Sequence, residues 1–161
     1  MPKDPGGNED FEYEKRPPKH KSKPLTSEEE LGDMHFSTEN YSVALEYYER
    51  GLQKSHPSAT PSDLVRVYRK ISDCYFQKGL LREAMAFLQS AESHCDPHDD
   101  IERASLAVRR GFILLEHGEF EKALKQAVSA FGTLRLTDEH REVAKAQVLM
   151  ANCYFRLGKH T

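Results

Sequence analysis

Gly111-Phe112-Ile113-Leu114-Leu115-Glu116-His117-Gly118-Glu119-Phe120-Glu121-Lys122-Ala123 carries the organising pattern of this chain. A small residue opens it, bulky apolar residues follow, a glycine interrupts, and an aromatic-x-x-Ala step restarts it. The same order returns upstream as Ser72…Tyr75…Gly79…Leu81…Ala84 and as Gly32…His35…Tyr41…Ala44, and downstream as Ala151…Tyr154…Gly158. Gly32, Ser72, Gly111 and Ala151 stand 40, 39 and 40 residues apart, and Ala44, Ala84 and Ala123 stand 40 and 39 apart. Gly51, Ala91 and Ala130 form a further column in the same phase. A fixed period of this size marks a stack of similar units, each too small to bury its own apolar face. The expected object is a helical repeat scaffold that binds a partner.

Start and stop signals divide the repeats into helices. The pattern predicts helices near 27–38, 41–55, 62–78, 81–94, 98–117, 120–135 and 138–157. Thr26-x-x-Glu29 and Ser27-x-x-Glu30 have the form of capping boxes, and Glu28 to Glu30 complement a helix N-terminus. Thr60-Pro61 and Asp96-Pro97 each put a capping side chain before a proline whose φ is already helical. Gly79, Gly118 and Gly158 fall at the turns inside the hairpins, where a positive φ favours a residue without Cβ. In the first hairpin Glu39-Asn40 takes that place, and Asn is the expected left-handed residue.

In these columns the chain resembles the tetratricopeptide repeat family over about residues 25 to 161. The third unit shows the motif most fully, as Gly111…Leu114…Gly118-Glu119-Phe120-Glu121-Lys122-Ala123. The usual unit is about 34 residues; the spacing near 40 is similar to the long repeats of kinesin light chains, cell-polarity adaptors and bacterial peptide-sensing regulators. The resemblance implies an all-α antiparallel helix-hairpin solenoid wound as a right-handed superhelix. Its units would span about 25–61, 62–97 and 98–137, with a half unit at 138–161. Because only the first helix of the fourth unit is present before Lys159-His160-Thr161, the chain reads as a piece of a longer protein.

Composition sets the class. The 161 residues are 38% hydrophobic and 30% charged, with a net charge of −3, which gives no general pull toward nucleic acid. No apolar run approaches the roughly 20 residues that span a bilayer, and the first residues do not read as a signal peptide. Three cysteines fit a reduced, cytoplasmic protein. Residues 1–24 hold five of the eight prolines and almost no aliphatic side chains, so they read as a disordered arm. Lys15 to Lys23 place five fixed positive charges in nine residues, a solvated tail or, in the functional alternative, a nuclear import signal.

The resemblance places the first helix of each hairpin along a concave groove. Its inward columns are Asp33, Asp73, Phe112 and Asn152, and one turn later Phe36, Phe76, Leu115 and Phe155. With Arg69 these make the candidate partner-binding groove. The bulky column reads either as a ladder of shallow pockets for a peptide or helix or as packing between adjacent hairpins. Glu29 and Asp33 stand where chaperone-tail-binding members of the family have a basic clamp, so an acidic C-terminal tail would be repelled. Positive charge further along, at Arg66, Arg69, Arg109, Lys145 and Arg156, suggests a groove running from acidic to basic.

Chemistry has little support in the sequence. No phosphate loop or nucleophile frame is present, and no cofactor or catalytic residue is expected. Cys95 and His98 have a spacing that a metal could use, but no second ligand pair lies near them and the stretch reads as a polar loop. Cys74 and Cys153 share a column with Met34 and Ile113 and read as small buried fillers. Arg110 interrupts the column of Leu31, Ile71 and Met150, its stem expected over the core and its head in solvent. The functional expectation is a protein-interaction scaffold, not an enzyme, whose partner is a protein or peptide. The alternatives are the sensory portion of a larger regulator and self-association through the open fourth unit.

Overall fold

A computed structural model describes residues 27–55 and 57–158. The arm 1–24 with its Lys15–Lys23 cluster, the capping candidate Thr26 and the closing Lys159-His160-Thr161 lie outside the described residues. Among the described residues there are seven helices and no strand: α1 (Ser27–Ser37), α2 (Tyr41–Ser55), α3 (Pro61–Gln77), α4 (Leu81–His94), α5 (Asp100–Glu116), α6 (Phe120–Leu134) and α7 (His140–Arg156). α1–α2, α3–α4 and α5–α6 are helical hairpins that stack in order, and α7 packs on both α5 and α6. The chain is an all-α hairpin solenoid. Among the described residues no helix is long and apolar enough to cross a membrane.

The turns follow one plan. Gly79, Gly118 and Gly158 adopt φ of 75°, 82° and 68°, and each closes its helix with a backbone bond such as Gly79 N–H to the Phe76 carbonyl at 2.9 Å. In the first hairpin the left-handed residue is Glu39, at φ 61°, and not Asn40. The geometry counts from the helix end: Ser37 closes α1 as Gln77 closes α3, and the second residue beyond must turn left-handed whatever its side chain.

Helix starts are partly as expected. Thr60 caps α3, accepting from Asp63 N–H at 3.1 Å, and the Asp63 carboxylate accepts from Thr60 N–H at 3.0 Å, completing a capping box with Pro61 at the first helical position. α5, however, is capped by Asp99 and not by Asp96-Pro97. The Asp96 carboxylate instead accepts from His98 N–H at 2.9 Å, spending its capping capacity on the turn before the helix. Ser27 is already helical, and its hydroxyl donates to Glu28 and forms no box with Glu30.

Three apolar clusters run through the stack. Ala44, Leu45 and Tyr48 pack with Val67, Ile71 and Cys74; Ala84, Leu88 and Ala91 pack with Leu106 and Ile113; Ala123, Ala127 and Leu134 pack with Leu115, Leu149 and Cys153. Each cluster draws residues from one hairpin and from the first helix of the next. No hairpin completes its core alone. The small-residue column explains how closely the paired helices approach. Tyr48 lies over Gly32, where a Cβ would sit 2.5 Å from its ring, and Ser72 Oγ donates to the Ala84 carbonyl at 2.7 Å.

Two columns report the direction of stacking. Cys74, Ile113 and Cys153 are buried against the preceding hairpin, whereas their counterpart Met34, on the first described helix, is 64% exposed. The opposite edge is marked by Phe36, Phe76, Leu115 and Phe155. Phe36 and Phe76 are half-buried, Leu115 is 4% exposed, and Phe155, on the last described helix, is 70% exposed. Phe36, Phe76 and Leu115 face the next hairpin. The bulky column is thus chiefly packing between hairpins, with part of its surface left open.

Candidate functional site

That open surface is a cavity of about 270 Å³ where the first helices meet. Its apolar floor comes from Phe36 on α1, Phe76 on α3, and Val108, Phe112 and Ile113 on α5, with Asp73, Gln77, Arg109 and Lys145 around it. Phe76 and Phe112 hold each other at a ring-centroid distance of 6.2 Å, inclined by 60°. Phe36 rests edge-on against Tyr41, centroids 5.2 Å apart, which fixes the wall on the α1 side. Of the nine residues expected in the groove, the structure gathers Phe36, Asp73, Phe76 and Phe112 here. Leu115 lies in the third core cluster and is not a groove residue, because α7 packs over it. Asn152 and Phe155 are exposed on α7 but do not line the cavity, and neither do Asp33 and Arg69.

The charged members of the expected groove are engaged with each other. Asp33 accepts from Lys70 Nζ at 3.0 Å and from the Tyr48 hydroxyl at 2.7 Å. Glu29, 2% exposed, accepts from Arg66 Nε and Lys70 Nζ, each at 2.8 Å. Arg69 bonds Glu102 at 3.2 Å. Asp73 takes Arg109 Nε at 3.0 Å, and the other end of that guanidinium reaches Glu142 at 2.9 Å and Ser105 Oγ at 2.8 Å. Lys145 pairs in turn with Glu142 at 3.1 Å. The expected gradient from acidic to basic is therefore replaced by a neutral ladder. Glu29, Asp33 and Asp73 each meet a base of the next unit, while Arg69 and Arg109 each meet an acid of the next, since an isolated buried carboxylate would cost far more than a paired one.

The ladder has its own register. Asp33–Lys70 and Asp73–Arg109 are the same contact in successive units, because Lys70 and Arg109 are 39 residues apart. In the third unit Phe112 and Leu149 occupy the equivalent positions, so charge gives way to an apolar pair. Proton affinities follow the pairing. Burial works against the Arg109 charge, yet Asp73 and Glu142 outweigh it and raise its pKa. Burial likewise opposes the Glu142 carboxylate, but Arg109 and then Lys145 bring its pKa down to about 2. Burial and the bond to Asp33 push the Tyr48 phenol up.

Other sequence candidates fall elsewhere. Arg110 does not send its head into solvent; Nε donates to Glu92 on α4 at 3.0 Å, tying the second and third hairpins together. A wider cleft of about 650 Å³, which periodicity alone does not signal, lies between the end of α4, α5 and α6. Two of its rim residues are already engaged: Glu92 holds Arg110, and Arg103 donates to the Pro97 carbonyl at 3.1 Å. Among the described residues no group of three or more His, Cys, Asp or Glu side chains is placed to hold a metal ion, the His94–Asp100 stretch included. Cys74 and Cys153 are buried and Cys95 is half-buried, all three as free thiols.

Comparison with known proteins adds the fold. No family model and no curated protein sequence matches the chain. Among solved structures, the crystal structure of BtubC (BKLC) from P. vanneervenii is similar, with a TM-score of 0.69 at 14% identity. The match covers 87% of this chain and 60% of BtubC, so the chain spans less than two thirds of that structure's length. At this identity the likeness carries the helical architecture and nothing about function.

Proposed function

We propose that this chain is a tetratricopeptide-type interaction scaffold that captures a partner peptide by seating one bulky, uncharged side chain in the cavity between α1, α3 and α5. The supporting observation is the combination of an aromatic floor with charges that already satisfy one another. Phe36, Phe76 and Phe112 offer apolar area that a Leu, Met or Phe side chain removes from water, at about 25 cal/mol per Å². Asp73, Arg109 and Lys145 are paired. A charged anchor would have to break those pairs, so the cavity selects against it. Backbone groups of the bound segment would meet Gln77, which is exposed at the rim.

Selection of phage-displayed random peptides against the chain tests this reading. Enriched peptides should share one bulky apolar position, and the bound peptide should shift the NMR resonances of Phe36, Phe76 and Phe112. Enrichment for acidic or basic motifs, or shifts confined to other helices, would reject it.

A further inference from the structure

The sequence ahead of α1 matches the chemistry of the aromatic recess. Residues 1–26 lie outside the described residues, and their only Phe, Tyr or Trp side chains are Phe11 and Tyr13. The stretch around these two reads Asp10-Phe11-Glu12-Tyr13-Glu14, a strict alternation of acid and ring. In an extended chain that period puts both rings on one side, about 7 Å apart, and the three carboxylates on the other. Such a segment offers a wholly uncharged aromatic side although it carries three acids. The recess asks for that combination. Its floor holds Phe36, Phe76 and Phe112, while Asp73, Arg109 and Lys145 are already paired and disfavour a charged anchor.

We propose that Phe11 and Tyr13 occupy the recess in cis, so that an outside peptide must displace the chain's own segment. They are then the resident ligand of the peptide site proposed above, and their assignment rests on that reading. Phe11 takes the apolar floor. Tyr13 lies one strand repeat further on, its hydroxyl at the rim where Gln77 is exposed. The length of the connection fits. Phe36 stands nine residues into α1 from Ser27, about 14 Å along the axis. The recess lies roughly one helix spacing of 8–10 Å to the side, which makes the whole span roughly 17 Å. The 16 residues from Phe11 to Ser27 have a random-chain length of about 20–24 Å, close to that span. A tether is most effective under that condition. Charge favours the route as well: the five bases from Lys15 to Lys23 must pass α1, which exposes Glu30 and Asp33.

Tethering supplies an effective concentration on the order of 1 mM. At an intrinsic dissociation constant of roughly 0.1 mM the segment fills the recess about nine-tenths of the time. An outside peptide then binds about tenfold more weakly than it would to an empty recess. The segment is a guard that yields only to a better anchor.

NMR of the full chain tests the proposal. The double variant F11S/Y13S, checked for an unchanged melting curve, should move the ring resonances of Phe36, Phe76 and Phe112. A synthetic peptide of residues 8–16 added to that variant should return them to their wild-type positions. Glu12→Ser, on the opposite side of the segment, should leave them in place. In fluorescence anisotropy the same peptide, dye-labelled, should bind the wild type about tenfold more weakly than F11S/Y13S. Recess resonances identical in wild type and F11S/Y13S overturn the proposal, and so does equal affinity of the two for the peptide. If phage-selected peptides still bind the recess in that case, only occupancy in cis fails; if no peptide moves those resonances, the peptide-binding reading fails with it. An effect of Glu12→Ser as large as that of F11S/Y13S refutes the aromatic contact in favour of a charged one. Wild-type positions that are lost on dilution refute occupancy in cis and assign the recess to the segment of a neighbouring copy.

Discussion

Arg109→Leu removes the guanidinium that joins α3, α5 and α7. In the native chain it spans Asp73, Ser105 and Glu142, and it is itself buried. The substitution keeps an apolar stem in the core but takes the buried guanidinium from Asp73 and leaves Glu142 with Lys145 and the Ser105 hydroxyl alone. Breaking a buried ion pair by deleting one partner costs about 3–5 kcal/mol. The Glu142 side chain is 16% exposed, so water recovers part of that. An independent measure comes from its proton affinity. A fall from the ordinary 4.5 to about 2, at about 1.4 kcal/mol per tenfold change, corresponds to roughly 3 kcal/mol for the charged form. A loss of about 2–4 kcal/mol at pH 7 is therefore expected from urea denaturation followed by far-ultraviolet circular dichroism. The sign of the pH response is the sharper test. In the native chain Glu142 is more acidic folded than unfolded, so its contribution is complete above about pH 4.5 and fades as pH falls toward 2. Without Arg109 only Lys145 and the Ser105 hydroxyl hold the Glu142 carboxylate against burial, so its pKa rises from the native value. The penalty then shrinks as pH falls from about 4.5 toward 2, where the native chain loses the contribution that the variant already lacks. A loss below about 1 kcal/mol, or one that grows on acidification, would refute the role of Arg109 as a buried hub.

Gly32→Ala should lower stability by about 1–2 kcal/mol in thermal melts, because the new methyl meets the rigid Tyr48 ring and the helix-propensity gain offsets only part of the clash. An unchanged melt would mean that the ring moves aside freely. Glu39→Gly should raise stability by about 0.5–1 kcal/mol by relieving the left-handed backbone of a residue with Cβ; a loss would show that the Glu39 side chain contributes more than its backbone costs. Titration of the folded chain with a thiol reagent near pH 8 should modify Cys95 first, while Cys74, its thiol pushed up to about 12 by burial and the nearby Asp73, reacts only on unfolding. Simultaneous reaction of all three thiols would contradict the buried positions of Cys74 and Cys153.

The architecture was legible because the residues that build it repeat. The small column, the hairpin glycines and the apolar positions recur at one spacing, and every helix lies within two residues of its expected span. The candidate groove was less legible for the same reason. A column shows that positions are equivalent, not what lies across from them, so Leu115 and Phe155 share a column although one is core and the other faces water. The ionic ladder was present in the sequence as Asp33 and Asp73 repeating 40 residues apart and Lys70 and Arg109 repeating 39 apart. Reading each acid against the base of the following unit, some 36 residues on, would have shown their pairing. The caps at Asp99 and Glu39 were missed on local grounds. Asp96 and Asp99 are both competent caps, and the choice rests on which one the preceding turn consumes.

Asp73 and Arg109 also act as a strut. Their two extended side chains bridge α3 to α5 on one flank of the aromatic recess, and the equivalent Asp33–Lys70 pair bridges α1 to α3. Side chains of that reach keep neighbouring first helices from closing on each other, whereas α5 and α7 draw together where Leu149 lies against Gly111. The gauge of the recess is thus set by the length of a charged side chain and not by the aromatic rings that line it. Lengthening the strut by one methylene at constant charge, as in Asp73→Glu, would retune the width of the opening without touching a single residue of its floor.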